Sequence, residues 1–264
     1  MSDKIKVVVC GALGKMGVET VRAVHSDEDL QLIGLMDVRG GVGDLGIDLG
    51  QGISLPVMTE LDRVLELKPE VMIDFTAPAS VFQNVATALG QGINCVVGTT
   101  GLSEGQLGQL EQIALDKGIG VAVIPNFAIG AVLMMKLAAE VARYLPDVEI
   151  IEMHHDQKLD SPSGTSIKTA ELIAAERSRQ PMRNDLAVEK VAGARGAELG
   201  GINIHSVRLP GFIAHQEVIF GGVGQSLTIR HDSYDRKGFM PGVVMTVKKI
   251  VETRGLIYGL EKLL

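Results

Sequence analysis

Residues 5–17 read IKVVVCGALGKMG, and this stretch decides how the rest of the chain is read. A short apolar run of β-branched residues gives way to glycines at 11, 14 and 17, and KMGVETVRAVHS continues with helical spacing. Strand, glycine turn and helix in that order suit a dinucleotide. Gly11 can make the tight turn, backbone N–H groups can then approach a pyrophosphate, and the helix start offers its positive end to the phosphate. The pattern is GxxGxxG and not GxGxxG, because Leu13 occupies the middle glycine position. Alone the motif is weak; the preceding strand and an acid at the right distance strengthen it.

That acid is Asp37, which closes the second strand, QLIGLMD, 20 residues past Gly17. A carboxylate there accepts hydrogen bonds from ribose hydroxyls and repels a 2′-phosphate, which favours NAD. Lys15 and Arg39 oppose this preference, since either can reach a 2′-phosphate. VMIDFT, INCVVGTT and GVAVIPN read as further buried strands, with helices at 79–90 and 103–117 between them. Such alternation predicts a parallel sheet covered on both faces. DFTAP at 74–78 and VGTTG at 97–101 then end at the same sheet edge, where Thr76, Gly98, Thr99 and Thr100 can line the nicotinamide side. Asp74 reads either as part of that edge or as a cap on the next turn. The glycine-rich stretch 40–52 reads as a loop.

Beyond residue 130 the character changes. KLAAEVARYL reads as a helix, VEIIEMHH as a strand and 162–178 as a helix. INIHSVRL, AHQEVIFGG and QSLTIRHDS alternate like strands on short links, as in an antiparallel sheet. The tail from Pro241 returns to helical spacing, with Pro241 suited to a first helical position. The fold class expected is α/β, a Rossmann-type parallel-sheet domain plus a central α+β domain with a mixed sheet.

The 264 residues are 46% hydrophobic and 22% charged, with a net charge of -7. That balance argues against nucleic acid as a partner, which calls for a basic face. Cys10 and Cys95 lie in apolar runs and form no CxxC pattern, so buried reduced thiols are expected. IGVAVIPNFAIGAVLMM at 119–135 approaches membrane-spanning length, but Pro125, Asn126 and two glycines interrupt it. No membrane partner is expected. The first residues lack a signal-peptide layout, and a cytoplasmic location is the expectation.

The richest chemistry lies in IIEMHHDQKLDSPSGTS at 150–166. His154, His155 and Lys158 can carry protons. Adjacent residues on a strand face opposite ways, so both histidines reach one ligand only if the strand ends there. Ser161 as N-cap with Pro162 at the first helical position would leave free N–H groups in the first turn to bind an anion, and Gly164, without a side chain, allows close approach. Metal binding is disfavoured because the histidines diverge and no carboxylate completes a set. Glu152 and Asp160 read as structural, and His25, His205, His215 and His231 receive no role.

GALGKMG at 11–17, DFTAP, VGTTG, PNFAIG at 125–130 and EMHHDQKLDSPSGT at 152–165 occur in the order that resembles the 4-hydroxy-tetrahydrodipicolinate reductase (dihydrodipicolinate reductase) family, over essentially the whole chain. The resemblance implies NAD(P)H-dependent reduction of 4-hydroxy-tetrahydrodipicolinate in the diaminopimelate route to lysine. It implies a dinucleotide-binding domain of residues 1–126 and 241–264, and a substrate-binding and oligomerisation domain of 127–240 whose sheet joins four subunits. It also assigns roles: His154 and Lys158 catalytic; His155, Gly164 and Thr165 on a small dicarboxylate. The nucleotide contacts are Gly11, Ala12, Leu13, Gly14, Lys15, Met16, Asp37, Gly98, Thr99, Thr100, Pro125, Asn126 and Phe127. The cofactor is NAD(H) and/or NADP(H), and no metal is implied. Members that use NADP well often carry an acid–Arg pair at the second strand's end, whereas here Val38 follows Asp37 and the arginine is at 39. Rival readings are an amino-acid dehydrogenase, disfavoured by HHDQK beside SPSGT, and a nucleotide sensor without turnover.

Overall fold

The computed structural model describes residues 4–40, 46–48, 54–179 and 188–264. They form two compact units: Met1–Ile129 with Phe239–Leu264, and Gly130–Gly238.

The first unit opens with β1 (Ile5–Cys10), α1 (Lys15–Ser26) and β2 (Leu30–Met36). It continues through β3 (Gly46–Asp48), β4 (Ser54–Met58), α2 (Leu61–Leu65), β5 (Val71–Asp74), α3 (Val81–Gly90), β6 (Asn94–Val97), α4 (Glu104–Lys117) and β7 (Gly120–Val123). α5 (Ile129–Ala142), β8 (Asp147–His154), α6 (Gly164–Glu176), β9 (Ala197–Leu199), β10 (Ile202–Arg208), β11 (Ala214–Gly222) and β12 (Gln225–Ser233) follow. α7 (Met240–Ile250) and β13 (Gly255–Tyr258) return the chain to the first unit.

Among the described residues the larger sheet runs β13-β7-β6-β5-β1-β2-β4-β3. Every pairing is parallel except β3 with β4. Val7, Val8, Val9 and Cys10 of β1, and Val71, Met72 and Ile73 of β5, are all fully buried. Strands without a polar face are what a doubly covered parallel sheet demands, so the unbroken apolar runs are the cause of this layering. Strand order reverses at β1, whose neighbours are β2 and β5, and such a point opens a crevice beyond the strands' carboxyl ends. α4 is delimited by local chemistry: Ser103 and Gln106 form a capping box, and Gly118 ends the helix in the left-handed region at φ 67°.

The smaller sheet runs β12-β11-β8-β10-β9 and is mixed. β8 pairs in parallel with β10 and antiparallel with β11. On β8, Val148, Ile150 and Glu152 are buried and the intervening residues are partly exposed. α6 packs against β8, β9 and β10, with Ala170 and Ile173 buried.

Four expectations change. β10 and β11 are not hairpin neighbours; β8 lies between them, because alternation specifies which face is buried and not which strand is adjacent. The tail is not helical throughout: α7 ends at Ile250, Gly255 adopts φ 78°, and GLIY pairs with the open edge of β7. Within the glycine-rich stretch, Gly46–Asp48 pair with Ser54–Pro56, while 41–45 and 49–53 lie outside the described residues. The helix after β8 begins at Gly164 with Ser163, not Ser161, as N-cap. Pro162 therefore precedes the cap and is not the first helical residue.

Candidate active site

At the glycine turn, sterics dictate sequence. Gly11 sits at φ 77°, and a Cβ there would lie 2.3 Å from the Phe75 carbonyl oxygen. A Cβ on Gly17 would lie 2.0 Å from the Gly11 oxygen. Both positions thus exclude any side chain. Gly14 is the N-cap of α1, and no side chain caps that helix. The first-turn N–H groups of Lys15, Met16 and Gly17 have no acceptor within the helix, an arrangement able to take an anion. Leu13 departs from this pattern: its N–H donates to Asp37 Oδ2 at 3.0 Å.

The Asp37 side chain is buried and fully engaged. Besides Leu13, it accepts from the Arg39 N–H at 3.0 Å and from Arg39 Nε and Nη2 at 2.9 Å each. The Arg39 guanidinium holds its carboxyl below the usual carboxylate range, against the opposing effect of burial. Arg39 itself is 61% exposed, and Val38 projects outward.

Asp74 does more than cap a turn. From the end of β5 its Oδ1 accepts from the Thr76 N–H at 3.0 Å, Thr76 Oγ1 at 2.8 Å and Thr99 Oγ1 at 2.8 Å. Its Oδ2 takes Asn84 Nδ2 at 3.1 Å. One buried carboxylate therefore ties the DFTAP loop to the VGTTG loop. Gly98 in the second loop is required by packing, since a Cβ would lie 2.0 Å from Phe75 Cε1. Phe75 in turn leans on Phe127, with ring centroids 5.7 Å apart. Asn126 folds the segment around Phe127, its Oδ1 accepting the Ala128 N–H at 2.9 Å, while Pro125 and Thr100 are exposed. Cys10 and Cys95 are buried and unbridged, and burial pushes both thiols well up, so neither is a nucleophile.

In the second unit β8 stops at His154, whose carbonyl accepts the Leu209 N–H at 3.1 Å. The chain turns at once, with the Lys158 N–H donating to the His155 carbonyl at 3.2 Å. β8 thus ends at the first of the two histidines, and the second lies in the turn. His155 is exposed. Lys158 Nζ pairs with both carboxylate oxygens of Asp160, at 2.7 and 2.8 Å.

His154 Nδ1 lies 2.5 Å from Glu152 Oε2. The two residues are two apart on a strand and so share a face. The Glu152 side chain is 0% exposed. It also receives Arg208 Nη1 at 2.8 Å, Arg208 Nη2 at 2.7 Å and the Ser163 N–H at 3.2 Å. Burial alone would raise this carboxyl; the His154 ring, Arg208 and Ser206 outweigh it and hold it down at about 2. Ser163 Oγ then accepts the Ser166 N–H at 3.2 Å, and Ser166 Oγ donates to Gln216 at 2.7 Å. The helix start is thereby fixed, while the N–H groups of Gly164 and Thr165 are left without an intrahelical acceptor. A Cβ on Gly164 would meet nothing within 4 Å, so packing does not require that glycine.

Sequence reasoning placed Glu152 in a structural role and passed over Arg208. The spacing Glu-x-His was the available signal for the first. No local signal marks Arg208, 56 residues away. Among the described residues no cluster of three His, Cys, Asp or Glu could hold a metal ion, and no helix is long and apolar enough to cross a membrane.

Comparison with known proteins gives the same answer along the whole chain. A family model for dihydrodipicolinate reductase, N-terminus, matches residues 5–127, and one for dihydrodipicolinate reductase, C-terminus, matches 130–264. A 4-hydroxy-tetrahydrodipicolinate reductase of Syntrophomonas wolfei is 58% identical, with 100% of both chains covered. One from Moorella thermoacetica is 49% identical over 100% of this chain and 99% of that protein. A solved dipicolinate-bound dihydrodipicolinate reductase from Paenisporosarcina sp. TG-14 superposes with a TM-score of 0.90 at 46% identity, covering 99% of this chain and 100% of that one. The chain belongs to the dihydrodipicolinate reductase family.

Proposed function

We propose that the chain reduces 4-hydroxy-tetrahydrodipicolinate to tetrahydrodipicolinate with NADH or NADPH, in the diaminopimelate route of lysine biosynthesis. One observation supports this reading most: His154, backed by a buried carboxylate, ends β8, and Ser163, which donates its N–H to that same carboxylate, caps the helix start at Gly164. A proton carrier and an anion site built on one carboxylate suit a cyclic imine with carboxylate substituents.

The roles follow from the chemistry of each group. The N–H groups of Gly164 and Thr165 and the positive end of α6 hold a substrate carboxylate. Lys158 adds a full positive charge and exchanges its Asp160 partner for substrate. His155, on the exposed turn, contacts the ring substituents. His154 holds the proton that neutralises the charge left on the ring after hydride addition, with Lys158 as the second donor. The Paenisporosarcina relative binds dipicolinate, a small dicarboxylate of the class proposed for this anion site.

The first unit carries the nucleotide. The cradle of Gly11, Gly14 and Gly17, which side chains would fill, fits a pyrophosphate over Ala12, Leu13, Lys15 and Met16. Gly98, Thr99, Thr100, Pro125, Asn126 and Phe127 border the nicotinamide side. A bound reduced nicotinamide supplies the hydride. Asp37 favours NADH through ribose hydroxyls, and the exposed Arg39 guanidinium beside it admits NADPH. The enzyme works in the cytoplasm as a homotetramer joined through the partly exposed face of the five-stranded sheet, where Ile151, Met153 and Ile219 lie.

The test is oxidation of NADH and NADPH in parallel with freshly generated 4-hydroxy-tetrahydrodipicolinate. Turnover with both, faster with NADH, is expected. His154→Ala should lower kcat by about 100-fold or more while cofactor affinity holds. Absence of turnover with NADH still bound would refute the reaction assigned here.

A further inference from the structure

We propose that Glu152 is the positioning residue for the proton transfer: it fixes the tautomer of His154, so that Nε2 faces the substrate, and it links that ring to the carboxylate-binding helix start. The inference rests on the reading of His154 as proton donor.

An ionised carboxylate only accepts hydrogen bonds. Glu152 stays ionised across the neutral range, so the 2.5 Å contact requires a proton on His154 Nδ1. Nε2 is then the nitrogen that gains and loses the transferable proton. A strand residue cannot set this by itself, because either nitrogen of an isolated imidazole can carry the proton. The carboxylate cannot swing away. Oε1 is held by Arg208 Nη2 and the Ser163 N–H, and Oε2 by Arg208 Nη1 as well as the ring. Arg208 Nη2 also donates to the Asp160 carbonyl at 2.8 Å, so the same guanidinium braces the loop that carries Lys158.

The alternative is that Glu152 and Arg208 merely fasten β8 to β10. The two roles separate in the Glu152→Gln variant. The Ser163 N–H can only donate, so it keeps the amide oxygen at the Oε1 position. The amide nitrogen then faces His154 Nδ1 and donates to it, which drives the ring to the Nε2–H tautomer. Arg208 Nη2 and the Ser163 N–H keep their acceptor, Arg208 Nη1 loses its own to the amide nitrogen, and the tautomer is reversed.

The experiment is 15N NMR of histidine-labelled full-length protein at a pH where His154 is neutral, assigned by loss of its signals in His154→Ala, with steady-state kinetics alongside. The inference expects the Nδ1–H tautomer in the wild type and Nε2–H in Glu152→Gln. It also expects kcat to fall by about 100-fold or more, with KM for NADH changed less than about threefold. The wild-type tautomer is read without Glu152→Gln, so the inference stays testable if that variant fails to fold. An Nε2–H tautomer in the wild type overturns it. So does full turnover in Glu152→Gln when His154→Ala has lost turnover. Full turnover in His154→Ala would instead defeat the reading of His154 itself, whatever the tautomer.

Discussion

Asp37 and Glu152 are both buried carboxylates gripped by an arginine fork, yet they are built in opposite ways. The partner of Asp37 is two residues away and 61% exposed. The partner of Glu152 is 56 residues away, on a neighbouring strand, with a side chain 19% exposed. The first pair is made by a loop with itself, and its arginine already lies largely in solvent. The second joins β8, β10 and the start of α6, so neither member can leave without stranding the other in a dry place. A local pair suits a group that must trade partners with an arriving ligand. A non-local pair suits a group that must stay still while its neighbour moves a proton.

The largest effect should come from Arg208→Ala, which strands the Glu152 charge. A destabilisation of about 3–5 kcal/mol is expected, read from the denaturant midpoint. If Arg208→Ala and Arg39→Ala shifted the midpoint equally, the contrast between the two pairs would collapse. A smaller effect should appear with pH. The folded-state value for Glu152, about 2, lies below the ordinary 4.5. Its contribution to stability is therefore fully present above about pH 4.5 and is lost as pH falls from there through about 2. The stability difference between wild type and Glu152→Gln should shrink across that window; a difference that grew on acidification would show the sign to be wrong. The smallest structural effect belongs to Arg39→Ala. Its midpoint should fall, but by less than that of Arg208→Ala, because Asp37 keeps the Leu13 N–H and lies in a loop, while turnover with NADPH falls relative to NADH. An unchanged ratio of the two rates would remove Arg39 from cofactor choice.

What could be read in advance follows the same division. The glycine turn and the parallel sheet were legible because their causes are local: apolar runs with no polar face, and glycines where a Cβ would strike backbone. The membership of the family was legible from EMHHDQKLDSPSGT, whose order relative to the other motifs is specific. The place of β8 between β10 and β11 was hidden, since alternation is blind to neighbours. The cap was misplaced by two residues because SPSG offers two serines. The choice is made by Ser163, which donates its N–H to Glu152 and accepts from Ser166. Arg208 had no chance of being noticed, because nothing within its own strand sets it apart.

β13 pairs with β7, but more than a hundred residues separate them, and all of the second unit lies in that interval. During synthesis, the chain from 130 to 238 emerges while β7 still has an unpaired edge. The smaller sheet can close before the larger one is complete, and GLIY arrives last to cover a strand edge that would otherwise template association between nascent chains. Those four residues act as a stopper on the ribosome's product, delivered only when the inserted unit has already been made.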